Sequence, residues 1–157
     1  MKADDRVIEA LNDLLTLELT VINQYFLHSR MCQDWGYEAL AARLRAISRE
    51  EMDDAEEIID RILFLEGMPN LQRLRPVTIG ENVPEQLRVS VEAEREALEI
   101  LARGVAVSDE AGDRASREFF AGRLGEEEQH VDWLETQLHL LDHVGEANYL
   151  AQQIREG

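Results

Sequence analysis

A chain of 157 residues with a formal net charge of -17 and a single cysteine is long enough to bury one core, and nothing in it marks a second module. So acidic a balance repels nucleic acid and anionic membranes while it concentrates cations, and with Cys32 alone neither an intrachain disulfide nor a CxxC metal or redox motif can form. No apolar run approaches the roughly 20 residues of a membrane span, and the start MKADDRVIEALNDL lacks the regions of a secretory leader, so a soluble, cytoplasmic protein without nucleic-acid or membrane partners is expected.

Only three prolines, and runs rich in Ala, Leu, Glu and Arg, favour helix throughout. The first predicted helix runs from Asp4 or Asp5 to Asp34, with Val7, Ile8, Leu11, Leu14, Leu15, Ile22, Tyr25 and Phe26 on one stripe, and Trp35-Gly36 breaks the pattern. The second, from Tyr37 to Glu66, carries Leu40, Leu44, Ile47, Ile58, Ile62 and Leu65, and Gly67 follows as its terminating residue. The third begins at Pro84, which suits a first helical position, and reaches Asp109 with Leu87, Val91, Leu98, Leu101 and Val105 facing in. The fourth spans Asp113 to His143 with Phe120, Leu124, Val131, Leu134, Leu138 and Leu141 inward; Gly145 ends it, and Glu146 to Arg155 form one short further helix.

Short links make helices one and two, and three and four, antiparallel neighbours. The middle link, MPNLQRLRPVTIGEN from Met68 to Asn82, holds two of the three prolines and no sustained period. About 15 extended residues reach roughly 50 Å, and a helix of about 30 residues spans roughly 45 Å, so this link can run the length of the bundle. The expected fold is a single all-α domain over residues 1–157. It is a ferritin-like four-helix bundle with one long crossover between helices two and three and a short C-terminal fifth helix.

The apolar stripes have gaps, and acids fill them. Glu18 interrupts the first helix, Glu51 and Asp54 the second, Glu94 the third, and Glu127 with His130 the fourth, all near mid-height. One such acid is ordinarily a misplaced helical phase, and a lone His130 is ordinarily a hydrogen-bonded core histidine. Acids on four helices at one level are not explained that way, and Glu127-x-x-His130 is a spacing suited to shared metal coordination. Buried carboxylates without counter-charge cost more than a domain's whole margin of stability. Arg43, Arg45, Arg49, Arg95 and Arg123 lie mostly off the stripes, so metal ions are the expected partners.

Helical phase divides the run EEMDDAEE at residues 50–57. Glu51 and Asp54 turn inward, Glu50, Asp53, Glu56 and Glu57 form a solvated face, and Met52 shares an outer face with Arg45, Ala55, Ile59 and Leu63 that suits a neighbouring subunit.

The stretches LNDLLTLELTVINQYFLHSRM, DRILFLEGMPNLQ and EEEQHVDWLETQL resemble bacterioferritin, and the likeness covers essentially the whole chain. The resemblance implies a dinuclear iron centre on Glu18, Glu51, Glu94, Glu127 and His130, with residue 54 in the sixth place, Glu51 and Glu127 bridging, and Tyr25 a near neighbour. It also implies a hollow shell of 24 subunits built from dimers, haem b held between two subunits by Met52 of each, and an iron-releasing 2Fe-2S ferredoxin docking near Met68, Glu81 and Glu85. The short C-terminal helix would line an axis of the shell, and Glu66, Glu110, Glu118 and Asp132 are candidate pore residues. Trp35 and Trp133 are candidates for interface anchors or for ordinary packing. The family's second Glu-x-x-His is EMDD here, so Asp54 stands in the histidine's place, and Ala46 departs from the family's inner-surface iron site, where Glu50 keeps a carboxylate.

What the resemblance implies is iron storage and detoxification by ferroxidase chemistry, with mineral held inside the shell. If Asp54 ligates, the centre holds five carboxylates and one imidazole; if it falls short, one iron is under-coordinated. The rival is a ferroxidase-impaired, haem-binding subunit that co-assembles with a catalytic sister chain. A carboxylate-bridged peroxidase or oxygenase of rubrerythrin type ranks last, because one cysteine cannot supply the rubredoxin-like module such proteins add.

Overall fold

Short polar side chains fix where three of the long helices begin. Asp4 accepts a hydrogen bond from the Arg6 amide, Asn82 from the Glu85 amide and Asp113 from the Ser116 amide, satisfying N–H groups that a first turn leaves open. In the computed structural model, described here for residues 1–155, these caps open α1 (Asp5–Asp34), α3 (Val83–Glu110) and α4 (Arg114–Val144). α2 (Glu38–Phe64) starts without a side-chain cap, and α5 (Glu146–Ala151) closes the chain. The last two residues of the expected domain lie outside the described part, and no described helix is long and apolar enough to cross a membrane.

α1 packs on α2, α3 on α4, and α1 on α3, around a core that includes Leu11, Leu14, Leu40, Ile58, Leu101 and Phe120. The crossover, residues 65–82, climbs along α1 and is tied to it at each level. Asn12 binds the Met68 carbonyl and the Asn70 amide, Arg73 reaches Thr16 and Asp13, and the Gly80 amide donates to His28 Nε2. α2 therefore ends beside the start of α1 and α3 begins beside its end, which makes α2 and α3 parallel as the long-crossover topology requires.

Local packing differs from the sequence pattern in four places. Phe26, expected on the buried stripe, is 54% exposed: neighbouring residues diverge by about 100° around a helix, and Tyr25 takes the inward direction because its hydroxyl finds a buried partner on α3. Ala55, expected on the outer face with Met52, is buried, one turn on from Glu51. α5 stops at Ala151 rather than Arg155. After α2 the left-handed residue is Glu66 (φ 61°), not Gly67; Gly67 is needed instead for closeness, since a Cβ there would meet Ile8 Cδ1 at 2.8 Å.

Gly104 on α3 has a similar reason, because an added Cβ would lie 2.5 Å from the Phe120 ring, whereas at Gly122 on α4 it would meet nothing within 4 Å. Helix propensity alone makes Gly→Ala stabilising by about 1 kcal/mol, and overpacking a core costs about 1–3 kcal/mol. Gly122→Ala is therefore expected to raise the thermal unfolding midpoint and Gly104→Ala to lower it, in parallel melts of the two variants.

Candidate metal centre

At mid-height the four helices deliver Glu18, Glu51, Glu94 and Glu127, all buried, into one layer. Two overlapping groups can each converge on a cation with their ligand atoms within 4.8 Å of one another: Glu51, Glu94, Glu127 and His130, and Glu18, Glu51 and Asp54. Glu51 belongs to both, as a bridging carboxylate must, while Glu127 belongs only to the His130 group. Asp54 is half-buried and does turn inward. A cleft of about 310 Å³ between α2 and α4 gives access, with Glu50, Asp53 and Glu126 among its walls.

The donor atoms are not consumed by one another. Glu18 Oε2, both Glu51 oxygens, Glu127 Oε1 and His130 Nδ1 are buried without a hydrogen-bond partner among the described residues. His130 Nδ1 lies 3.0 Å from Glu51 Oε1, near enough for charge attraction but not aligned as a hydrogen bond. Groups left this way are costly unless something binds them, and hard oxygen ligands with one imidazole suit a divalent first-row metal. Tyr25 stands behind the layer, its hydroxyl donating to Glu94 Oε1 at 2.8 Å and fixing that carboxylate from the far side.

Without metal, protons do the balancing. Burial, then the charge of Glu51, raises Glu18 well above the carboxylate range. Burial and Glu51 lift Glu94 to about 8, against the opposing influence of His130 and Tyr25. Burial and Glu51 also raise Asp54 to about 6, with Arg123 pulling the other way. Burial pushes Glu51 up too, but Glu18, His130 and Arg123 outweigh it and hold it ionised. Burial works against charge on His130, and Glu51 overcomes it, lifting the imidazole to about 9. Glu51 stays charged, while Glu18, Glu94 and His130 keep protons at neutral pH that a metal would displace.

Two residues at the centre were not legible as such. Glu50, placed on the solvated face, reaches His130 Nε2 at 3.3 Å. Arg123, set aside as off the stripe, lines the cleft and pairs with Glu57; the available signal was its position one turn before Glu127, on the same face. Outside the layer, Met52 is 52% exposed on the outer face of α2, and Leu63 and Phe64, about three turns further along the same helix, are also exposed. Met68 lies at the α1 start and Glu81 with Glu85 at the other end of the crossover, so one chain does not bring those three together. Trp133 packs within the chain under Arg43, 5.1 Å from ring centroid to guanidinium, and Trp35 sets its edge to Tyr37. Of the pore candidates, Glu66 pairs with the N-terminal amine and Glu110 with Arg6.

A crossover four-helix bundle with a carboxylate and histidine layer at its centre defines a ferritin-like protein, and the family model for the ferritin-like domain matches residues 8–144. The chain is 46% identical over 149 residues to a bacterioferritin of Brucella melitensis biotype 1, covering 95% of this chain and 92% of that one. It is equally 46% identical to bacterioferritins of Mycobacterium bovis over 152 residues (97% and 96% covered) and Streptomyces coelicolor over 156 residues (99% and 93%). The chain belongs to the bacterioferritin family.

The raised groups set a sign for pH dependence. A group whose folded value exceeds its unfolded one stabilises the fold below the unfolded value and loses that contribution as pH rises through the folded one. Asp54, Glu94 and His130 do so through about 6, 8 and 9. Glu51 acts oppositely, in acid only. The thermal midpoint of the metal-free protein is therefore expected to fall between about pH 5 and pH 9, by a loss on the order of a few kcal/mol, and added Zn2+ should flatten the slope. A midpoint that rises toward pH 9 without metal contradicts the protonation pattern.

Proposed function

We propose that the chain is an iron-storage and detoxification protein that oxidises ferrous iron at the Glu18, Glu51, Asp54, Glu94, Glu127 and His130 centre. The observation that carries this reading is the pair of overlapping ligand groups sharing Glu51, in a buried layer where Glu18, Glu51, Glu127 and His130 each keep a ligand atom without a hydrogen-bond partner among the described residues. Membership of the bacterioferritin family supports iron as the metal.

Ferrous iron is the substrate. Two ferrous ions held side by side would each give one electron, and the pair of electrons with two protons reduces dioxygen to hydrogen peroxide, or hydrogen peroxide to water, before the ferric product leaves for the mineral. The chain's residues prepare this in identifiable ways. Acidic walls at Glu50, Asp53 and Glu126 attract the cation into the cleft. Glu51 joins the two positions, and Glu18, Asp54, Glu94, Glu127 and His130 complete them, with Glu18, Glu94 and His130 giving up protons as metal enters. Tyr25 fixes Glu94 in place. Asp54 acts as a ligand in this reading, supported by its inward direction and its place in the Glu18 group.

Membership of the family supports a wider assembly. The chain forms a cytoplasmic 24-subunit shell built from dimers, with haem b between two subunits carrying electrons for release. Met52 would hold the haem iron: it is an exposed thioether on an outer helical face, which is what a ligand shared across two copies requires. A ferredoxin would dock across copies, since one chain separates Met68 from Glu81 and Glu85.

Stopped-flow oxidation of ferrous iron by the apo shell tests the reading. The unmodified protein should oxidise about two irons per chain in a fast phase, and Glu51→Gln or Asp54→Ala should slow that phase by at least about tenfold. Oxidation no faster than buffer, with activity appearing only in Asp54→His, would instead establish the co-assembling, ferroxidase-impaired subunit. The absorption spectrum supplies an independent check: haem is expected in the purified protein and lost in Met52→Leu with the shell retained.

A further inference from the structure

The cleft that leads to the metal centre has six carboxylates among its lining residues and one basic group of the Lys or Arg type, Arg123. That guanidinium is not a surface charge. Its side chain is 13% exposed, its guanidinium carbon lies over the Phe119 ring 4.0 Å from the centroid, it pairs with Glu57, and its Nε is buried with no acceptor among the described residues. Glu57 is largely exposed, so water screens that pairing on one side, and the guanidinium keeps one buried donor unmet beside the acidic cleft.

The ligand count supplies the reason. Five ligand carboxylates exceed the charge of two divalent cations by one, and His130 as a ligand is neutral. Arg123 also has a definite side. On α4 it precedes Glu127 by one turn and His130 by two, and on α2 its partner Glu57 lies one turn beyond Asp54, while His130 meets Glu50 and Glu51. Its charge is therefore nearer the Glu18, Glu51 and Asp54 position than the His130 position.

We propose that Arg123 is a resident counter-cation of the metal centre, supplying the positive charge that two divalent ions leave uncompensated and making the Asp54 side the weaker, exchangeable position. Repulsion between the guanidinium and a divalent ion falls with distance, so it weakens the near position more than the far one. Phe119 and Glu57 hold the charge in place, so the effect is built into the fold. An exchangeable position beside a tighter one allows the product ion to leave while its neighbour stays. This inference rests on the two-metal reading above and concerns Arg123 as a positioning residue, not a ligand.

Calorimetry of Zn2+ binding to the metal-free assembled protein, with a chelator competing, reads both positions without any oxidation. Arg123→Met should tighten the weaker position by about tenfold, leave the tighter one within about twofold, and slow Zn2+ release to the chelator by a similar factor. Arg123→Lys should keep the unmodified values within about threefold. Glu57→Gln, a change at an exposed site, frees Arg123 from its neutralising partner and should weaken the weaker position by about threefold. That variant carries the test if Arg123→Met does not fold. Unchanged affinities in Arg123→Met or Glu57→Gln, or weaker binding in Arg123→Met, overturn the proposal while leaving the metal centre standing. Failure of the unmodified protein to bind Zn2+ overturns both.

Discussion

Carboxylates taken out of water require counter-charge, and this bundle takes four glutamates almost wholly out of water at a single level. Much else in the chain can be understood from that requirement. Glu51 is the centre of it, common to both ligand groups, ionised where its neighbours hold protons, and facing His130 on one side and Glu18 on the other. The protons on Glu18, Glu94 and His130 and the guanidinium of Arg123 keep the layer tolerable before metal arrives. Exchange of those protons for cations couples metal uptake to stability and to pH.

The rest of the fold keeps that layer at fixed geometry. Caps at Asp4, Asn82 and Asp113 set the start of three helices, and the crossover is anchored at successive heights on α1 by Asn12, Thr16 and His28. Tyr25 shows how packing and chemistry share a residue: its ring fills the core while its hydroxyl orients Glu94. The outer face has a different character, with Phe26, Leu27, Met52 and Leu63 exposed on α1 and α2, an apolar surface that suits a second copy.

The long periodic segments made the fold legible in the sequence, because four stripes and one long irregular link leave few topologies. The inward acids were legible for the same reason, as regular gaps in those stripes. Side-chain competition at adjacent positions was not: periodicity cannot say that Tyr25 rather than Phe26 turns inward, or that Ala55 rather than a larger residue sits under α2. Gly67 marks the end of α2 as read, its amide closing onto the Ile62 carbonyl, but the positive φ falls on Glu66, which the pattern alone does not reveal. Arg123 was set aside with the other arginines although it lies one turn before Glu127, and Glu50, read as solvated, reaches His130 from an exposed position, because long side chains extend well beyond their backbone positions. The family resemblance supplied expectations that pattern could not, of haem, a shell and a ferredoxin partner, and it raised the question of Asp54.

The central claim is that the buried layer is a two-metal centre in which Asp54 serves as a ligand. Anomalous diffraction from crystals soaked in ferrous iron under anaerobic conditions tests it most directly. The account predicts two peaks per chain on either side of Glu51, with an Asp54 oxygen within bonding distance of one and His130 within bonding distance of the other. A single peak at His130 with Asp54 turned away, or no peak in the layer, would contradict it.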